Sequence, residues 1–310
     1  MTHADDFTST ERKIALLIGN KNYSQRENQL YHAVKNVEDL HQVLSNLGFQ
    51  CTVHLDIDRD TIDKIKVFEK TIRQDDLVVF YYSGHCRHAN GQNYLVPVDD
   101  ARIDSDENIP DFGVDLLRVV ERLCSKNVNN VSLYILDCYK PYLLKDEPSS
   151  EAIRKRPKAM EALPRTFIQY ACTPNQQDSV VPHRGRNDLY TKHLMDIISH
   201  ENIQIADLFK RISQGVYRES NQKQKPLSMN GLGGYGKKIV NFVDYNRMIN
   251  AYNDRIRDLK IELEKYTIQT SMGSNSADLF HANRIRVLIH EFTQKRTSLI
   301  SKCYAAAPRG

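Results

Sequence analysis

The sequence predicts a mainly parallel α/β sheet with helices on both faces, extended at its C-terminus by an α-helical hairpin. Two observations carry this reading. From about residue 11 to 242, short and uniformly apolar runs alternate with amphipathic helical segments, the pattern of parallel strands buried on both faces. Past residue 243 the alternation stops and apolar residues recur at heptad spacing. Residues 1–10 read as a disordered tail, 11–242 as one domain and 243–310 as a coiled-coil-like extension.

The elements follow in order. "KIALLIGNKNY" (13–23) is a buried strand ending in a Gly-Asn turn. "AVKNVEDLHQVLSNLGF" (33–49) carries Val37, Leu40, Val43, Leu44 and Leu47 at helical spacing, with Gly48 placed as a C-terminal cap. "QCTVHLDI" is the next strand. "TIDKIKVFEKTI" (61–72) is a helix with Ile62, Ile65, Phe68 and Ile72 on one face. "DLVVFYYSG" (76–84) is a strand buried on both faces, and Asn90-Gly91 offers a hairpin turn from which "NYLVPVD" returns. Residues 114–124 suit a helix. "VSLYILD" (131–137) and "TFIQYACT" (166–173) are strands; "DLYTKHLMDII" and "IADLFKRISQGVYRES" are helices.

Two segments depart from this plan. Residues 140–165 hold four prolines and several charges, and read as a long exposed loop of the kind that is functional or mobile. Within it "RKRPK" (154–158) reads as a solvated charge run. In the extension, Ile249, Tyr252, Ile256, Leu259, Leu263 and Tyr266 form a seam. "SMGSNS" breaks it, and a second helix carries Ile285, Leu288, Phe292 and Leu299. The hairpin either packs on its own domain or presents a surface for self-association or a partner.

Composition narrows the function. The net charge of +4 over 310 residues gives no basis for a nucleic-acid partner. No apolar run approaches the ~20 residues needed to span a bilayer, and the N-terminus lacks the basic-then-apolar plan of a signal peptide. Cysteines 51, 86, 124, 138, 172 and 303 form neither a CxxC pair nor a cluster with histidine. A reduced, cytoplasmic protein without metal or cofactor is expected.

In a parallel sheet the ligand site lies off the carboxyl ends of the strands. His85 follows one buried strand there, and the turn from Asp137 to Lys140 follows another. An imidazole and a thiol brought to one edge can form a nucleophilic pair. At a strand end, each also has a plainer use: His85 hydrogen-bonding a carbonyl, Asp137 capping a turn.

These residues carry a resemblance. "ALLIGNKNY", "AVKNVEDLHQVLSNLGF", "VVFYYSGHCRHANGQNYLVPVD", "LYILDCYK", "FIQYACTPNQQDSV", "RNDLYTKHL" and "QKPLSMNGL" resemble, in order, blocks of the caspase-like cysteine proteases, closest to the paracaspase and metacaspase branches. The histidine about 50 residues upstream of the nucleophile block fits as well. The resemblance implies a caspase-haemoglobinase-like fold and cysteine endopeptidase ancestry, with a role in apoptosis-like signalling. It also implies a catalytic His85 and a pocket in which Asp137 would receive a P1 Arg or Lys.

The blocks also depart from the family. Laid on without a gap, Cys138 takes the small-residue position and Tyr139 the nucleophile's. A phenol, with its pKa near ~10, does not replace the thiol. Cys86 stands where the family has the glycine of the oxyanion hole, and a Cβ there is expected to strain the turn. Cys172 reads as a core thiol. The resemblance thus implies a pseudoprotease that acts through binding or assembly, towards a peptide with Arg or Lys, an active relative or a second copy. The alternative is an active endopeptidase that cleaves after Arg or Lys with a His85/Cys138 dyad. A third reading is an assembly protein driven by the C-terminal helices.

Overall fold

The structure is a computed structural model. It describes residues 12–59, 61–127, 129, 131–138, 140–173, 185–199, 204–234, 245–271 and 276–306. The tail at 1–10, Tyr139 and the Gly273 break therefore lie outside the described residues. The chain divides into two compact units after Phe242.

The first unit is built on a six-stranded sheet. Its strands are β1 (Lys13–Gly19), β2 (Gln50–Leu55), β3 (Leu77–Ser83), β7 (Ser132–Asp137), β8 (Thr166–Tyr170) and β9 (Leu227–Asn230), in the order β2-β1-β3-β7-β8-β9. All neighbours are parallel except β8 and β9. The edge strand β9 comes from "QKPLSMNGL" and alternates in burial, lacking the apolar run that marks the inner strands. A second sheet joins β4 (Cys86–Ala89), β5 (Gln92–Leu95) and β6 (Val114–Asp115), all antiparallel. Asn90 and Gly91 turn between β4 and β5 with φ of 49° and 82°, the backbone that a tight hairpin needs.

Helices α1 (Ala33–Asn46), α2 (Thr61–Glu69), α4 (Leu116–Lys126), α6 (Leu189–Ile198) and α7 (Ile205–Glu219) cover the two faces of the large sheet, and two short helices, α3 (Ile109–Phe112) and α5 (Ser149–Arg154), lie in connections. Ile65 and Phe68 of α2 and Val119, Val120 and Leu123 of α4 pack with Leu16, Phe80, Tyr134 and Ile168 of the sheet. On the other face α1 packs on α6 and α6 on α7, and Phe209 of α7 stacks on Phe167 of β8 at 4.9 Å. Helix α4 starts two residues later than its apolar pattern suggests, because Asp115 caps it: its carboxylate accepts from the Leu117 and Arg118 amides. Gly19 ends β1 where a Cβ would meet the Ala33 carbonyl at 2.8 Å. The missing side chain lets α1 lie close over the strand end.

The segment 140–165, expected as an exposed loop, is exposed or half-buried over most of its length but anchored at several points. Tyr142, Ala152 and Arg156 are buried, and α5 lies within the segment. Arg87, 1% exposed, holds it down. Its guanidinium donates twice to Glu147, once to Asp106 and once to the Tyr142 carbonyl, at 2.6–2.8 Å. Lys155 also pairs with Asp106, and its carbonyl accepts from the His88 amide at 2.7 Å. Within "RKRPK", Arg154 and Lys158 are exposed as a solvated run requires, while Arg156 is buried.

The second unit is a helical hairpin of α8 (Tyr245–Ser271) and α9 (Ser276–Ala306). Ile256 and Leu259 are buried on α8, and Ala282 and Ile285 on α9. Tyr252 meets Phe292 at 5.8 Å, and Tyr266 stacks on His281 at 5.8 Å.

Removing Arg87 would leave Glu147 buried without its counter-charge. Arg87→Ala should cost about 3–5 kcal/mol and free the strap. Denaturant unfolding reads the first effect, and limited proteolysis between residues 142 and 158 the second.

Candidate active site at the sheet edge

The pairing of β3 with β7 puts Ser83 opposite Asp137. The turns that follow them, carrying His85 and Cys138, are thus neighbours, tied by a hydrogen bond from the Gly84 amide to the Asp137 carbonyl at 3.4 Å. What each side chain meets depends on the strand's alternation. Asp137 points to the α1/α6 face and Cys138 to the α2/α4 face.

Cys138 lies in the core with Tyr82, Cys86, Leu136 and Tyr170. Its neighbour is the Cys86 thiol, whose proximity, with burial and the Asp137 charge adding to it, pushes the Cys138 pKa well above that of a free thiol. The thiol stays protonated, the opposite of what a nucleophile needs. Cys86 opens β4 and pairs with Leu95. Its Cβ sits in extended backbone, so the expected strain at that turn does not arise. Cys172 is buried, and burial pushes its thiol pKa up.

His85 is 2% exposed. The Asn28 carbonyl stands 2.8 Å from Nε2 and the Lys140 carbonyl 3.3 Å from Nδ1. Tyr23 and Tyr142 pack edge-on against the ring, with centroids at 4.8 and 5.5 Å. Its amide donates to the Tyr23 hydroxyl at 2.8 Å, and its carbonyl accepts from Tyr82 at 2.8 Å. Burial pulls its pKa down to about 4, against the pull of the two carbonyls. The imidazole is neutral at pH 7, with a carbonyl facing each ring nitrogen.

Asp137 is the third member. Its Oδ2 accepts from Thr191 at 2.8 Å, Tyr81 at 3.2 Å and Asn36 at 3.4 Å. Asn36 also donates to Asp188 at 3.0 Å and Ser83 at 3.2 Å, and takes the Asp188 amide at 3.0 Å. One side-chain amide therefore holds two carboxylates together. Burial raises the Asp137 pKa to about 7, with the Asp188 charge adding and the Thr191 and Tyr81 hydroxyls opposing. Its Oδ1 is buried without a hydrogen-bond partner. It lies at a cavity shared with Leu30, Ser83, Gly84, Lys140 and Asp188, of about 10 Å³, room for about one water.

Sequence reasoning singled out His85, Cys86, Asp137 and Cys138 and missed the groups that define their states. Asn28, Tyr142, Asn36, Asp188 and Thr191 lie far away along the chain. Only Asp188 carries a local signal, as the residue preceding helix α6. No group of three metal-ligating side chains occurs among the described residues, and no described helix is long and apolar enough to cross a membrane.

The two shifted groups oppose each other. Unfolded, Asp titrates near ~3.9 and His near ~6.5. Folding therefore binds a proton at Asp137 and releases one at His85 across roughly pH 4–6.5. The first lowers stability as pH rises and the second raises it, so the sum is nearly flat. Asp137→Asn keeps an acceptor for Thr191 and Tyr81 but removes the first slope. Its folding constant should rise with pH in that window, by up to about tenfold per unit, as read by urea unfolding at several pH values.

Comparison with known proteins agrees with this architecture. A family model described as a caspase domain matches residues 12–232. Among solved structures, the Drosophila initiator caspase Dronc superposes with a TM-score of 0.53 at 16% identity, over 74% of this chain and 82% of that one. No curated protein matches the sequence. The matched span takes in β1 to β9, the His85 turn and the Asp137–Cys138 turn, and on it the chain belongs to the caspase-domain family.

Proposed function

We propose that this protein is a caspase-fold pseudoprotease that works by binding or assembly. The surroundings of His85 carry the reading. A general base must reach the proton it removes, and here both ring nitrogens face backbone carbonyls while the nearest sequence candidate for a thiol, Cys138, lies in the core beside Cys86. Tyr139, in register with the family's nucleophile, offers a phenol in place of a thiolate. Cys86 replaces the oxyanion-hole glycine.

On this reading Asp137 is what remains of a recognition pocket for Arg or Lys. The unpartnered Oδ1 beside Asp188 supports it, since a guanidinium would satisfy that atom and suppress the protonation that burial favours. The cavity must open to admit such a side chain. The partners this implies are a protein or peptide bearing Arg or Lys, an active relative, or a second copy of the chain. A cytoplasmic setting belongs to the same proposal.

An electrophilic peptide trap with Arg at P1 separates this from an active endopeptidase. Intact mass after prolonged incubation is expected to show no adduct. An adduct on Cys138, lost in Cys138→Ala and following the ionisation of His85 with pH, would establish the His85/Cys138 dyad instead.

A further inference from the structure

A groove of about 330 Å³ opens beside β5 and β6, formed by residues outside the His85 turn and the Asp137 cavity. Its volume lies in the range of ligand clefts, roughly 300–1,000 Å³. Two aromatic side chains, Tyr94 and Phe112, form apolar wall, and two guanidinium groups, Arg59 and Arg118, flank it.

The charges in the groove are not equally available. Asp115 is engaged locally: its Oδ1 takes the Leu117 and Arg118 amides, and its Oδ2 lies 3.6 Å from Arg118 Nε. Arg118 remains 79% exposed along its side chain, so the rest of its fork is open. Arg59 lies over the Phe112 ring at 5.2 Å, and among the described residues it has no ion-pair partner. Stacking on the ring holds the guanidinium in one orientation, which reduces what a ligand must order. The Tyr94 hydroxyl likewise makes no hydrogen bond to a described residue. Against these donors stands one uncommitted carboxylate, Asp111.

The Arg59 fork over the Phe112 ring and the exposed Arg118 fork at the same groove suit a carboxylate next to an apolar side chain. Arginine binds carboxylates with paired hydrogen bonds, and Tyr and Phe faces add contact area at small entropic cost. We propose that this groove binds an acidic peptide segment of a partner protein, with a carboxylate held by Arg59 and Arg118 and a neighbouring apolar side chain laid on Phe112 and Tyr94. The site is independent of His85 and of Asp137, and its charge preference is opposite to that of the Asp137 cavity.

The full chain can be titrated into a fluorescein-labelled ten-residue peptide of Asp and Glu with one central Phe, followed by anisotropy at low salt. Saturable binding is expected, weakened at least about tenfold in Arg59→Glu and in Arg118→Glu. Asp111→Asn should tighten it, because it removes the carboxylate of the groove that is not engaged locally as Asp115 is. Arg59→Gln guards against a folding effect of charge reversal, and unchanged thermal melting checks each variant; all three side chains lie at the surface. A peptide with Lys in place of the acids should not compete. Absence of saturable binding, binding unchanged in Arg59→Gln and Arg59→Glu, or equal competition by the Lys peptide would each overturn the proposal.

Discussion

The parallel pairing of β3 with β7 is the contact on which the site depends. It sets Ser83 beside Asp137 and so brings two turns from distant stretches of chain to one edge. Everything chemical at that edge then follows from alternation along β7. Asp137 is delivered to the α1/α6 face, where Asn36 and Thr191 receive it. Cys138, one residue on, is delivered to the α2/α4 face, into apolar core. A one-residue slip would exchange the two environments, placing a carboxylate in hydrocarbon and the thiol among hydroxyls.

Burial sets the protonation states of these groups. A histidine in water titrates near neutrality; His85 inside the fold does not. A thiol against a second thiol in the core holds its proton. A carboxylate beside another carboxylate takes one up. Loss of water is the largest cause at His85 and Asp137, and the neighbouring Cys86 thiol is the largest at Cys138, with burial next. The strap is the reason that water is lost. Tyr142 from it packs on the His85 ring, the Lys140 carbonyl faces Nδ1, and Arg87 anchors it through Glu147 and Asp106. The segment after the family's nucleophile position thus forms part of the core around the histidine.

The first unit presents two regions of opposite chemistry. At the edge of the large sheet, two carboxylates share one asparagine amide in a closed space. Beside the small sheet, two guanidinium groups border an open groove. Neither arrangement requires a nucleophile. The proposed function draws on this: binding needs only shape, charge and ordered side chains, so a caspase fold can bind peptides without cleaving them.

Much of the fold was legible in the sequence. The inner strands announce themselves by uninterrupted apolar runs, as in "LLIG" and "LVVFYYS", and the hairpin by its 3-4 spacing. These signals are local and set by the period of each element. The edge strand β9 was not legible, since a half-exposed strand of four residues has too little pattern. The anchoring of the segment at 140–165 was not legible for a related reason: prolines and charges mark a loop, but what holds a loop is decided elsewhere in the chain. At the site, the sequence by itself determined that the His85 turn and the Asp137–Cys138 turn each follow a buried strand. Only the tertiary structure decided that His85 lies between two carbonyls, that Cys138 meets Cys86, and that Asn36 joins Asp137 to Asp188. Those states depend on solvent exclusion and on partners tens of residues away, and no local pattern encodes either.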